Sequence, residues 1–171
     1  MKIRSDFVTN SSSSSFLLAF DSKEDAIAKL IKHLSWNTDA LGCVIRDITE
    51  ASAMTEEEIA ERLDDEAGSY AYWIIHFGEG SWWSSTKDTW EKRWMDKHPD
   101  AKRLDMREDP EYQAEYNRLK DKFKADILPK LQGKAFICEL EYSDNDGLLF
   151  SELEHDIMPT VPGLVKSFSH H

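Results

Sequence analysis

The chain is poor in the features that mark several large protein classes. It has only two cysteines, Cys43 and Cys138, which are too few for a disulfide framework, so we expect two free, reduced thiols. No apolar run approaches the roughly 18 residues that a membrane span needs. Lysine and arginine number 21 against 33 acidic residues, which gives a net charge of −12. This charge argues against nucleic-acid binding and against docking on an anionic membrane, and it favours a basic partner or a metal ion.

The spacings that characterise common catalytic and metal sites are also missing. The chain has no Cys-x-x-Cys, no His-Glu-x-x-His and no Gly-x-Ser-x-Gly. Gly78-Glu79-Gly80 lacks the lysine and the third glycine of a phosphate-binding loop. Near the amino end, Asp6 and the following serines interrupt any apolar stretch of the kind that a secretion signal needs. We therefore expect a cytoplasmic protein.

The apolar residues that are present predict one domain, residues 1–171. Phe16–Phe20 is apolar on both faces, which predicts a central strand. A helix is predicted over Ser22–Ser35, and a second begins at a Thr55–Glu58 capping box and continues to about Glu66. Cys43–Ile45 fits a short strand and a helical turn equally well.

The second half of the chain alternates strand-like and helix-like segments. Tyr70–Phe77 is dense in aromatic and β-branched residues and predicts a strand. Residues 86–132 predict two helices, the second of which starts at Pro110. Residues 135–142 and 148–150 predict an antiparallel hairpin, followed by an irregular tail. The expected fold is α+β: an antiparallel sheet with helices packed on one face and a helical insertion, about 86–132, between strands.

The most distinctive segment is Asp6–Phe16, which reads Asp-Phe-Val-Thr-Asn, five serines and Phe. It resembles the opening of many uncharacterised bacterial proteins, and the final Ser169-His170-His171 is similar to the ending of that group. The resemblance implies a bacterial protein and no particular activity. Ser11, Ser12 and Ser13 are nevertheless candidates for binding, because successive backbone amides and hydroxyls can hold an anion or meet a partner. A serine-rich loop tied into the sheet explains the same residues.

One acidic segment suggests a metal site. Asp144 and Asp146 lie in a Ser-Asp-Asn-Asp-Gly stretch, and Glu154 and His155 follow closely. Clustered carboxylates favour a divalent cation because they repel one another without one, and imidazole adds a ligand for zinc or nickel. The spacing does not match a calcium loop, and a hairpin turn accounts for Asp144–Gly147 without a metal. His170 and His171 are either further ligands, a mobile tail or a tag remnant.

Two further groups of residues are candidates for a site. His76, with Glu79 beside flexible glycines, suits a general base at the end of a strand, although a lone histidine in an apolar run also suits a hydrogen-bonded core position. Trp82 and Trp83 cannot both point inward from an extended segment, so at least one tryptophan is expected to be exposed, and these two residues are candidates for a recognition surface. Packing of the tryptophan-rich helices on the sheet is the favoured explanation for the remaining rings.

Three classes of function remain after these observations. The first is a non-catalytic protein-interaction module of a bacterial cytoplasm, which uses the serine-rich leader or the tryptophan-rich insertion to bind a protein partner. The second is a metal-assisted hydrolase-like enzyme built on His76, Glu79 and the Asp144–His155 segment. The third is a binder of a small ligand in a pocket lined by tryptophan and tyrosine. The first is preferred because none of the candidate sites reaches the strength of a motif.

Overall fold

The structure is a computed structural model that describes residues 13–78, 88–102 and 105–169. The chain forms an antiparallel sheet with helices packed against it, which confirms the predicted α+β class. In chain order they are β1 (Ser13–Phe20), α1 (Lys23–Leu34), α2 (Thr38–Glu50), α3 (Glu56–Phe77), α4 (Trp90–Lys97), α5 (Pro110–Leu131), β2 (Phe136–Ser143), α6 (Leu148–Glu152) and β3 (Leu164–Ser169).

The chain divides into two compact units. Unit 1 comprises Met1–Met54 and Lys130–His171, and unit 2 comprises Thr55–Pro129. Unit 1 therefore contains the sheet with α1, α2 and α6, while unit 2 is helical in its described part. The expectation that residues 1–171 form one domain stays a prediction.

The sheet of unit 1 has the order β2-β1-β3, and both pairings are antiparallel. As predicted, β1 is central, because its run of apolar residues can be buried on both faces. The register places Ser14 opposite Tyr142 of β2 and opposite Ser169 of β3. The strand begins at Ser13, so the last three serines of the tract belong to the sheet and not to a loop.

The core of unit 1 lies between one face of the sheet and its helices. Side chains at alternate positions of β1, among them Phe16, Leu18 and Phe20, share a buried cluster with Leu30 of α1 and Ile48 of α2. Both helices begin at side-chain caps. Ser22 accepts a hydrogen bond from the Asp25 amide, and Asn37 accepts one from the Ala40 amide.

A glycine permits the close packing of the chain just before β3. Gly163 has φ +85°, and its carbonyl accepts a hydrogen bond from the Ala19 amide at 2.9 Å. A Cβ atom at this position would lie 2.4 Å from the ring of Phe20, which is fully buried. Glycine is therefore needed here both for the backbone conformation and for the space.

Unit 2 is built from α3, α4 and α5. The predicted capping box is present: Thr55 accepts from the Glu58 amide, and the Glu58 carboxylate accepts from the Thr55 amide. Its core cluster joins side chains of these helices and of the 3-10 turn Asp105–Glu108, namely Ala71, Ile75, Trp94, Met106, Tyr112 and Leu119. Pro129 lies in the last turn of α5, which ends two residues later at Leu131.

The predicted strand at Tyr70–Phe77 is wrong, because these residues form the second half of α3. Leu63, Ala67, Ala71 and Ile75 recur every four residues and are all buried, so they form one stripe of a helix. Packing of this stripe outweighs the strand preference of the neighbouring aromatic residues. The helical segment between β1 and β2 is consequently longer than the predicted insertion.

The predicted hairpin is also wrong. Asp144–Asp146 forms a 3-10 turn and Leu148–Glu152 is helical, so β2 pairs with β1 and not with a strand that follows it. The third strand, β3, lies in the tail predicted to be irregular and pairs with the other edge of β1. Leu149 and Phe150 pack on the core from a helix. The apolar run Leu148–Phe150 has only three residues, which is too short to distinguish a helical period from a strand period. The Cys43–Ile45 segment lies within α2.

No helix within the described ranges has the length and apolarity to cross a bilayer.

Candidate functional site

Three of the four residues predicted to bind a metal come together in unit 1. Asp144 follows the last residue of β2, while Glu154 and His155 lie in a π-helical turn, Leu153–Ile157. One donor atom from each of the three lies within 4.8 Å of the others. Asp146, the fourth predicted ligand, is exposed and is not part of this group.

Glu154 is the centre of the group. Its side chain has 0% exposed surface. One carboxylate oxygen accepts a hydrogen bond from the Ser14 hydroxyl at 2.8 Å, and the other accepts one from the Asp144 amide at 3.0 Å. Since each carboxylate oxygen offers two lone-pair directions, both oxygens retain capacity to bind a cation.

His155 completes the group from the solvent side. Its Nε2 lies 3.9 Å from Oε2 of Glu154, and its side chain is half-exposed. In the described part of the chain, no lysine or arginine forms an ion pair with Glu154.

Ser14 is a member of this site that the sequence analysis did not single out among the serines. It is buried, and it points to the same face of β1 as Phe16 and Leu18 because side chains alternate along a strand. Counting back by two from Phe16 would have identified it. Ser13 is half-buried at the start of β1, whereas Ser11 and Ser12 lie outside the described residues.

The predicted catalytic residue His76 lies in unit 2, on α3, and not at the end of a strand. Its side chain is buried, and its Nδ1 donates to the carboxylate of Glu91 at 2.5 Å. Its ring is tilted against that of Tyr72, with the ring centroids 4.2 Å apart. Its Nε2 is buried without a hydrogen bond to any described group. Glu79, its predicted partner, lies outside the described residues.

The two cysteines are free, as predicted, and both are buried. Burial raises the pKa of Cys138 to about 12 and also raises the pKa of Cys43, which has Asp47 nearby. Burial raises the pKa of Tyr142 strongly as well, and its hydroxyl donates to Asp47 at 3.0 Å. These groups stay neutral and serve packing, so they offer no nucleophile.

The aromatic surface predicted at Trp82 and Trp83 falls outside the described residues. A different exposed pair is present in unit 1, where Trp36 is 67% exposed between α1 and α2 and Leu148 is 92% exposed at the start of α6. The sequence carried a signal for Trp36 only: it stands between two helix caps, where no helical stripe would bury it.

The chain matches no protein-family model, no curated protein and no solved structure. The resemblance of residues 6–16 stays a prediction.

Proposed function

We propose that the protein binds a divalent cation through Asp144, Glu154 and His155. The observation that carries this proposal is the convergence of three donor atoms within 4.8 Å around a fully buried carboxylate. The ligands come from the end of a strand and from a helical turn, and the packing of unit 1 holds both in place.

Charge supports the proposal. Residues 139–158 contain seven acidic side chains and no lysine or arginine. A buried carboxylate without a cation bears a desolvation cost. A cation between Glu154 and Asp144 offsets this cost and relieves the repulsion between the two carboxylates.

The donor set favours a transition metal over calcium or magnesium. Two carboxylate oxygens and one imidazole nitrogen suit zinc, manganese or nickel, whereas calcium takes six to eight oxygen ligands. Three protein ligands leave at least one coordination position for water. π-helical turns such as Leu153–Ile157 also occur frequently at functional sites.

Isothermal titration with Zn²⁺, Mn²⁺ and Ca²⁺ tests the proposal, using untagged protein in which His170 and His171 are replaced by alanine. We expect one site that prefers Zn²⁺ or Mn²⁺. At a hundredfold excess over Kd, the metal stabilises the fold by about 2.7 kcal/mol. Glu154→Gln preserves the shape of the side chain and should abolish binding.

Asp156→Asn is the matched control, because Asp156 is an exposed acidic neighbour outside the group. It should leave the affinity unchanged. The proposal is rejected by an absence of binding heat and of thermal stabilisation for all three metals, or by an equal loss in the Asp156 and Glu154 variants.

The wider expectations belong to the same proposal. A lack of nucleic-acid binding is supported by the net charge of −12, and a location in a bacterial cytoplasm stays an expectation. The metal-assisted hydrolase-like enzyme stays a prediction, and it would require the metal to be shown first by titration.

A further inference from the structure

Unit 1 carries an exposed apolar surface beside acidic side chains. We propose that this surface, formed by Trp36 and Leu148, docks a positively charged amphipathic segment of another protein. Metal binding has no part in the argument, since neither residue belongs to the group around Glu154.

Hydrogen bonds fix the loop that bears Trp36 against α6. The Asn37 side chain caps α2 through its oxygen and, through its nitrogen, donates to the Glu152 carboxylate at 3.3 Å. Leu148 and Glu152 are four residues apart on α6, so they share one face of that helix. The Trp36 loop is therefore hydrogen-bonded to the helix that presents Leu148.

Neither apolar side chain is needed for the core of unit 1. Leu149 and Phe150 already supply the contact of α6 with the core, and Leu148 projects away at 92% exposed. Single exposed apolar residues are ordinary on protein surfaces, whereas an exposed tryptophan is a residue type enriched among binding hot spots, and the leucine on the adjoining element adds apolar area. The cap of α2 already holds the Trp36 loop in place, so the loop loses little conformational entropy when a partner binds.

The charge around these anchors selects the partner. Glu152 lies on the Leu148 face, Asp39 is exposed in the first turn of α2, and Asp146 is exposed just before α6. No lysine or arginine occurs in residues 139–158. A segment with leucine-like anchors and flanking lysines or arginines complements this surface, while a second copy of this acidic chain or an anionic membrane is repelled.

Fluorescence anisotropy of a labelled amphipathic leucine–lysine peptide tests the proposal, with a leucine–glutamate peptide of the same pattern for comparison. The measurement is made on the full chain in EDTA, so that a bound cation cannot contribute. We expect binding of the lysine peptide only. Its affinity should fall between about 0.01 M and about 0.15 M ionic strength, as the Debye length shortens from about 30 Å to about 8 Å.

Trp36→Ala and Leu148→Gln should each weaken binding about tenfold, as expected for a hot-spot residue. Glu152→Gln should reduce the salt dependence. Leu128→Gln is the matched control, because Leu128 is 50% exposed but belongs to unit 2, and it should change nothing.

Four results would overturn the proposal. They are an absence of binding to the lysine peptide, equal binding of the two peptides, an equal loss in the Leu128 and Leu148 variants, and self-association in sedimentation that Leu148→Gln abolishes. The last result would show that the surface joins copies of this chain. Circular dichroism of each variant confirms that its fold is retained.

Discussion

Replacing Gly163 with alanine should destabilise unit 1 for two separable reasons. The first is the backbone: φ at Gly163 is +85°, and a residue with a Cβ atom loses about 1–2 kcal/mol in this conformation. The second is space, because the new Cβ atom would lie 2.4 Å from the Phe20 ring. Phe20 is fully buried and cannot turn away, and overpacking of this kind costs about 1–3 kcal/mol.

Gly133→Ala isolates the first reason, the backbone cost. Gly133 has φ +76°, but nothing lies within 4 Å of its Cβ position. Its substitution should cost only the backbone part, about 1–2 kcal/mol, against about 2–5 kcal/mol for Gly163→Ala. The difference between the two variants measures the contact with Phe20.

Urea unfolding followed by circular dichroism measures both variants, and amide hydrogen exchange locates the effect. The Ala19 amide donates to the Gly163 carbonyl, so its protection should fall in Gly163→Ala and stay near the wild-type value in Gly133→Ala. Equal free energies of unfolding in the two variants, with Ala19 protection unchanged, would refute the packing of Gly163 against Phe20.

Three further predictions concern a cap, a carboxylate and the thiols. Thr55→Ala removes the capping box of α3 and should cost about 1 kcal/mol in urea unfolding, whereas an unchanged midpoint would show that the cap contributes nothing. Hydrogen bonds from Lys124 and then Lys120 lower the pKa of Asp64 to about 2, so its stabilising contribution is present above about pH 4 and is lost as the pH falls towards 2. NMR titration should show this pKa rising in Lys124→Ala, and an unchanged value would contradict the assignment. Because burial raises the pKa of both Cys43 and Cys138, a thiol reagent should modify them only on unfolding; rapid reaction of the native protein would show that they are accessible.

Much of unit 1 could be predicted from local patterns. The central strand around Phe16–Phe20, the first helix and the free thiols followed from apolar runs, capping residues and cysteine number. Each of these signals depends on residues that are neighbours in the chain. The Thr55–Glu58 capping box likewise located the start of α3 in unit 2.

The errors arose where local preference and tertiary packing disagree. The aromatic residues of Tyr70–Phe77 favour a strand in isolation, but the buried stripe that begins at Leu63 continues through them and keeps the segment helical. β3 escaped prediction because the nearby Pro159 and Pro162 indicated an irregular tail, whereas Leu164–Ser169 forms a strand by pairing with β1.

The candidate site was likewise predictable from local sequence only in part. The composition of the Asp144–His155 segment was enough to propose a cation, because clustered carboxylates repel one another wherever the chain folds. The role of Ser14 and the exclusion of Asp146 were not available from that composition. They depend on the register of β1 and on the turn that follows β2.

The sequence by itself determined the class of fold, the acidic surface and the two unpaired thiols, because composition and short-range periodicity carry that information. Tertiary structure alone decided that Glu154 is buried against Ser14, 140 positions away in the chain, and that Trp36 and Leu148 are left in solvent. Burial depends on which distant segments pack together, and this packing is a property of the whole chain.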